Sequence, residues 1–136
     1  MATKTDNKYY EAVGRRKTAT ARVRITPSSK MSYVINDKAL AEYFRTGELQ
    51  KTLTDTFSKT KIEDTFSVSV KVFGSGISAQ AEAVRHGIAR ALVKLDEEHK
   101  SPLKKLGYLK RDPRSKERRK AGMAGKARKG KQWSKR

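Results

Sequence analysis

Phe66-Ser67-Val68-Ser69-Val70-Lys71-Val72-Phe73-Gly74-Ser75-Gly76-Ile77-Ser78 is where the chain changes period. Phe66, Val68, Val70 and Val72 alternate with Ser67, Ser69 and Lys71, which predicts a strand with one buried face. Gly74-Ser75-Gly76 breaks the alternation. Beyond it, Ile77, Ala81, Val84, Ile88, Ala91 or Leu92, and Leu95 recur every three or four residues, the stripe of a long amphipathic helix. Glu82, His86, Arg90 and Lys94 fall at i, i+4 intervals on its other side, expected to face solvent. A strand that hands over to a long helix through a glycine turn places the chain in a mixed class.

Working back towards the N-terminus, Tyr9 to Val13 reads as a short first strand, interrupted by Gly14-Arg15-Arg16-Lys17-Thr18. Ala19, Ala21, Val23 and Ile25 then share one face, with Arg22 and Arg24 on the other. Pro27-Ser28-Ser29 signals a turn, and Met31, Tyr33 and Ile35 alternate after it, so a hairpin is expected. Asp37 is placed to cap a short helix through Phe44, and a second helix is expected from Gly47 to about Thr56 on Leu49 and Leu53. Residues 58–65 read as a polar loop. Towards the C-terminus, Ser101 caps a short helix with Pro102 at its first position, ending at Gly107. Three strands, helix, strand, helix predicts an α+β fold, a small sandwich of one sheet covered by helices on one face.

The 136 residues carry 33 Lys plus Arg against 14 Asp plus Glu, a net charge of +19, and no cysteine. Disulfides and Cys-ligated zinc or iron–sulfur sites are therefore excluded. No apolar run approaches the roughly 20 residues that span a bilayer, and Met1 to Asn7 hold no apolar segment of a secretory signal. The charge is uneven. Residues 1–99 are net +5; residues 100–136 hold 16 basic and 2 acidic side chains, Asp112 and Glu117. The last 27 residues contain no Leu, Ile, Val or Phe, too little apolar surface to offset about 1–2 kcal/mol of backbone ordering per residue. The expected organisation is a flexible N-terminus at 1–8, a globular domain at 9–109 and an extended basic tail at 110–136.

Catalytic candidates are few. Glu82 and His86 lack the second histidine of a zinc-protease helix, and Asp96-Glu97-Glu98 reads as a solvated helix end. Gly74-Ser75-Gly76-Ile77-Ser78 lacks the Lys and Ser/Thr of a Walker loop, although Gly74, Ser75, Gly76 and Ser78 could offer a helix N-terminus to an anion. No enzyme, cofactor, metal or small-molecule substrate is expected. The cationic candidates are stronger. Arg15, Arg16, Lys17, Arg22 and Arg24 meet with only Glu11 nearby, a focused patch for a polyanion. The tail adds Lys110, Arg111, Arg114, Lys116, Arg118, Arg119, Lys120, Lys126, Arg128, Lys129, Lys131, Lys135 and Arg136, with Gly122, Gly125 and Gly130 for pliability and Trp133 for stacking or anchoring. Composition alone fits RNA, DNA or an acidic membrane.

The ordered set Gly14-Arg15-Arg16-Lys17-Thr18, Ala21-Arg22-Val23, Glu42-Tyr43-Phe44, Gly76-Ile77-Ser78-Ala79-Gln80-Ala81, Arg85 to Leu92, Arg111-Asp112-Pro113-Arg114 and Ser134-Lys135-Arg136 resembles the bacterial-type family of the ninth protein of the small ribosomal subunit. The resemblance runs from Tyr9 to the final residue. It implies a cytoplasmic ribosomal protein without membrane attachment, binding small-subunit rRNA in the 3′ major domain, among neighbouring ribosomal proteins of the subunit head. It also implies a left-handed crossover, against the general right-handed preference. It adds Thr18, Gln80 and Arg85 to the rRNA contacts, and assigns Ser134, Lys135 and Arg136 to peptidyl-site tRNA. Phe73, Ser75 and Ala79 stand where this family often has glycine, and Trp133 replaces a usual Phe or Tyr. Two other classes fit parts of the sequence. A general nucleic-acid binder would accept duplex DNA equally; a small-molecule phosphotransferase would need a base and a metal-binding carboxylate near the glycine loop.

Overall fold

The computed structural model describes residues 8–128. Its sheet is built from β1 (Tyr10–Arg16), β2 (Ala19–Pro27), β3 (Ser32–Ile35), β4 (Lys38–Ala39) and β5 (Phe66–Phe73), in the order β1-β2-β5-β3-β4. β2 lies between β1 and β5 and is antiparallel to both, whereas β3 runs parallel to β5. That parallel pair requires a crossover, supplied by α1 (Leu40–Tyr43) and α2 (Gly47–Thr60). After β5 come α3 (Ile77–Leu95), a 3₁₀ turn at Glu97–His99 and α4 (Lys100–Lys105).

One face of the sheet forms the core. Ala19, Ala21, Val23 and Ile25 of β2 and Phe66, Val68, Val70 and Val72 of β5 are buried, as their alternation predicts. α3 lies on β1 and β2 with α2 beside it. It buries Val84, Ile88 and Leu92, and also a track of small residues, Ala79, Ala83 and Gly87. Each large side chain removed from water contributes about 1.5–3 kcal/mol before ordering entropy is subtracted. Leu103 and Tyr108 are buried under the same core and Leu109 packs against it; the exposed chain from Lys110 onward leaves from there. Among the described residues no helix is long and apolar enough to cross a membrane.

Six elements differ from the sequence expectations. The hairpin expected across Pro27-Ser28-Ser29 does not form, because β5 inserts between β2 and β3 and pairs with both. Gly14-Arg15-Arg16 continue β1 instead of interrupting it, because the glycine answers a close approach of α3 and not a turn. Asp37 caps no helix. Asn36 and Asp37 take φ +49° and +66° and form the two-residue loop between β3 and β4, a primed hairpin turn that Asn and Asp tolerate better than most residues. α2 extends to Thr60, with Ser58 and Thr60 hydroxyls bonded to carbonyls one turn back, so polarity at 58–60 does not mark a loop. Ile77 is exposed at the start of α3, since the helix meets the sheet only from Ala79 on. Ser101 lies inside α4; the nearby capping side chain is Asp96, which accepts from the Glu98 N–H at 3.0 Å.

Candidate nucleic-acid interface

The interface grows from the β1–β2 hairpin. Arg16 pairs with Ala19, leaving Lys17-Thr18 as a two-residue loop in which Lys17 adopts φ +51°. Arg15, Lys17 and Thr18 are exposed at this tip, and Arg22 is exposed on the outer face of β2. Arg15, Lys17 and Arg22 share no ion pair among the described residues. Arg24 is engaged: its Nε donates to Glu11 at 2.7 Å and its guanidinium covers the Tyr9 ring at 4.8 Å.

Arg16 has a different environment from its neighbours. Its side chain is only 12% exposed; Nε donates to Glu82 at 2.5 Å, and one Nη donates to the Arg114 carbonyl at 3.1 Å and lies 3.3 Å from Asp112. The guanidinium therefore ties β1 to α3 and to the root of the tail. Asp112 also receives Arg114 through both its backbone N–H and its guanidinium, and these bonds hold its carboxyl well below the usual carboxylate range.

The polar side of α3, expected to face solvent, covers the free edge of β1. His86 Nδ1 accepts from the Arg15 N–H at 3.4 Å, Arg90 donates to the Val13 carbonyl at 2.5 Å, and Lys94 donates to the Glu11 carbonyl at 2.6 Å. Residues 11, 13 and 15 point their backbone groups away from β2, and an i, i+4, i+8 row of side chains satisfies them. The other ring nitrogen of His86 lies 3.3 Å from the Leu109 carbonyl, so the assigned tautomer carries its proton on Nε2. Burial lowers the His86 pKa, Arg90, Arg111 and Arg85 lower it further, and the bond to Leu109 opposes them. Hairpin, α3 and tail root enclose an open cleft of about 570 Å³ whose lining includes Arg15, Arg85, His86, Lys110 and Arg111. Arg85 lies over the Tyr108 ring at 4.8 Å.

The glycine loop sits against the hairpin. A Cβ on Gly74, which has φ +87°, would lie 2.5 Å from the Thr18 carbonyl oxygen. Ser75 adopts φ +54°, a conformation that glycine accepts at lower cost. Gln80 braces the loop from within: its amide donates to the Gly74 carbonyl at 3.0 Å and accepts from the Tyr43 hydroxyl at 2.6 Å. The two motifs that the sequence separates by about 60 residues thus form one corner, with Ser78 exposed beside it. Gly76 precedes α3 without a capping side chain, and the first turn carries no acid.

In the tail, Lys110, Arg111, Arg114, Lys116, Arg118, Arg119, Lys120, Lys126 and Arg128 are all exposed. Its two acids are engaged, Asp112 by Arg114 and Glu117 by Arg128. Lys120 N–H bonds the Lys126 carbonyl at 3.2 Å across a turn with Gly122, Ala124 and Gly125 at positive φ. Lys129, Lys131, Trp133, Ser134, Lys135 and Arg136 lie outside the described residues, as do residues 1–7. No group of three or more His, Asp or Glu side chains suited to a metal occurs among the described residues.

A family model described as ribosomal protein S9/S16 matches residues 14–136. The chain belongs to that family. Membership makes it a ribosomal protein with a structural role in translation, and gives the cationic hairpin, cleft and tail a setting in which RNA is the abundant polyanion. The internal network of Arg16 was missed from sequence, where Arg15-Arg16-Lys17 reads as one uniform run. Only the strand period could have separated them, since Arg16 falls on the opposite face from Arg15.

Proposed function

We propose that this family member is the S9-type protein of the bacterial small subunit, binding rRNA of the head and reaching peptidyl-site tRNA with its last residues. The observation that carries this reading is the segregation of uncommitted cations. Arg15, Lys17 and Arg22 on the body, and Lys110, Arg111, Lys116, Arg118 and Arg119 beyond it, are exposed and share no ion pair among the described residues. Arg24 and Arg114, also exposed enough to reach phosphate, would exchange a carboxylate for it. Thr18, Gly74, Ser75, Gly76 and Ser78 supply hydroxyls and backbone N–H groups at the same corner, next to Arg85 and the cleft. Arg16 and Gln80 act by holding this surface in place. Lys129, Lys131, Lys135 and Arg136 continue the cationic run in sequence, and Ser134, Lys135 and Arg136 are directed to tRNA. The left-handed crossover that the resemblance implies would join β3 and β5, the parallel pair that needs a crossover.

Recognition by the tail is mainly of phosphate and RNA shape, because it is rich in arginine and lysine and holds only Gln132 and Trp133 among the amides and aromatics that read bases. With about 10 phosphate contacts, log affinity falls against log salt with a slope of about −7 to −9. Titration of salt against binding of the full chain to a head-domain rRNA fragment measures it. A slope near −2, or no loss on deleting residues 110–136, rejects the mechanism.

A further inference from the structure

The helices cover one face of the sheet; among the described residues the other carries no helix, and Phe73 stands on it with 67% of its surface exposed, the most of any large apolar side chain described. Phe73 lies opposite Thr20 on β2, and Lys71 lies opposite Arg22. Arg22 is therefore a diagonal neighbour of the ring, about 7–8 Å away between backbones, within reach of an aromatic and a long side chain. Arg15 continues the same rung on β1, opposite Thr20. We propose that Phe73 is a stacking platform for one unpaired RNA base, with Arg22 and Arg15 taking the phosphates on either side of it. This deepens the RNA-binding reading and rests on it.

Three observations favour a base over other occupants. The Phe73 ring has no aromatic or cationic partner among the described residues, whereas the other exposed ring on this face, Tyr9, is already covered by Arg24. The cations beside Phe73 outnumber free acids: Glu11 is paired with Arg24 and Asp37 with Lys71, which leaves Arg15 and Arg22 for a backbone. A protein partner would favour a contiguous apolar patch, yet the exposed Val34 is opposite Ser69, four residues along β5 from Phe73, about 13 Å at the strand rise. One flat apolar ring between guanidinium groups and hydroxyls matches one nucleotide. Stacking is tolerant of base identity, so the site selects single strand over duplex and not a sequence.

The test uses the full chain and a fluorescein-labelled single-stranded oligoadenylate octamer at fixed salt, with thermal melts confirming that each variant folds. Phe73→Ala and Phe73→Leu are expected to weaken binding about 5- to 150-fold, the range for loss of one base stack. Phe73→Tyr should stay within about twofold, and the salt slope should not change, since no charge is removed. An octamer carrying 5-bromouridine should crosslink to Phe73 on irradiation. If the wild-type chain binds but Phe73→Ala binds equally well and Phe73 takes no crosslink, the platform is rejected and phosphate binding stands. If the wild-type chain binds no RNA, the underlying reading falls instead. If Phe73→Ala binds the octamer normally but fails to enter subunits, the face belongs to a protein neighbour and the platform is again rejected.

Discussion

Gly14 and Gly87 meet backbone to backbone where β1 crosses α3. A Cβ built on Gly14 would lie 1.8 Å from the Ala83 carbonyl oxygen and 2.3 Å from the Gly87 nitrogen. Neither neighbour is a flexible side-chain end, so strand and helix would have to separate. The close crossing is also what brings Arg15, Val13 and Glu11 within reach of His86, Arg90 and Lys94.

Gly14→Ala should therefore destabilise the chain by about 2 kcal/mol or more, from overpacking against backbone. Gly87→Ala should cost less, because its Cβ meets chiefly the Val23 side chain, at 2.6 Å, and Ala gains about 1 kcal/mol of helix propensity over Gly. Gly47, at the start of α2, has nothing within 4 Å of a built Cβ and serves as the control. Urea unfolding of the full chain measures all three; a Gly14→Ala chain as stable as wild type contradicts the crossing.

Arg16 and Glu82 form the half-buried pair that fastens the hairpin to α3. A double-mutant cycle of Arg16→Ala and Glu82→Gln should return a coupling of about 1–3 kcal/mol, well above the value for exposed surface pairs. Lys71 and Asp37, paired at 2.9 Å but largely exposed, should couple by less than about 1 kcal/mol. Equal couplings would mean that the Arg16 network is no more than surface charge.

Much of this architecture was legible because alternation in β2 and β5 and the stripe of α3 leave one way to form a core. The hairpin tip and glycine loop were legible as motifs, since each needs unusual residues at fixed places. Their meeting was not, because Thr18 and Gly74 are brought together by the β2–β5 register, a non-local property. The row Glu82, His86, Arg90, Lys94 was misassigned for the same reason. A polar i, i+4 row looks identical whether it faces water or the free edge of a strand, and only the fold decides which. Arg16 illustrates the limit at one residue: identical chemistry to Arg15, opposite face, opposite role.

His86 makes stability depend on pH. Its pKa is lowered in the folded chain from the ordinary 6.5, so below that pH the unfolded chain binds more protons and stability falls. The contribution is fully present above 6.5 and is lost as pH drops from there through the lowered folded value. Protonation of Nδ1 also removes the acceptor of the Arg15 N–H, in a cleft that already holds Arg15, Arg16, Arg85, Lys110, Arg111 and Arg114 against Glu82 and Asp112, with Arg90 nearby. Comparison of wild type with His86→Gln by urea unfolding at pH 7.5 and pH 5.5 isolates the effect from His99. Wild type should lose more stability between the two than the variant; identical losses would show that folding does not lower the His86 pKa.

The division between a folded body and a cationic tail separates two losses that a single deletion confounds. Removal of residues 110–136 takes away the phosphate contacts that the body cannot replace and should weaken rRNA binding by orders of magnitude at physiological salt, with a shallower salt slope. Removal of Lys135 and Arg136 alone subtracts two of 16 basic side chains from residues 100–136, so subunit assembly should be nearly normal. Retention of peptidyl-site tRNA on such subunits should nevertheless weaken, by a few-fold to tenfold, because on the proposed reading those two cations face tRNA and not rRNA. Filter binding of tRNA to reconstituted subunits separates the outcomes. Unchanged retention in the two-residue truncation removes tRNA from the tail's partners while leaving the rRNA role intact. A parallel loss of assembly places the final residues in rRNA instead.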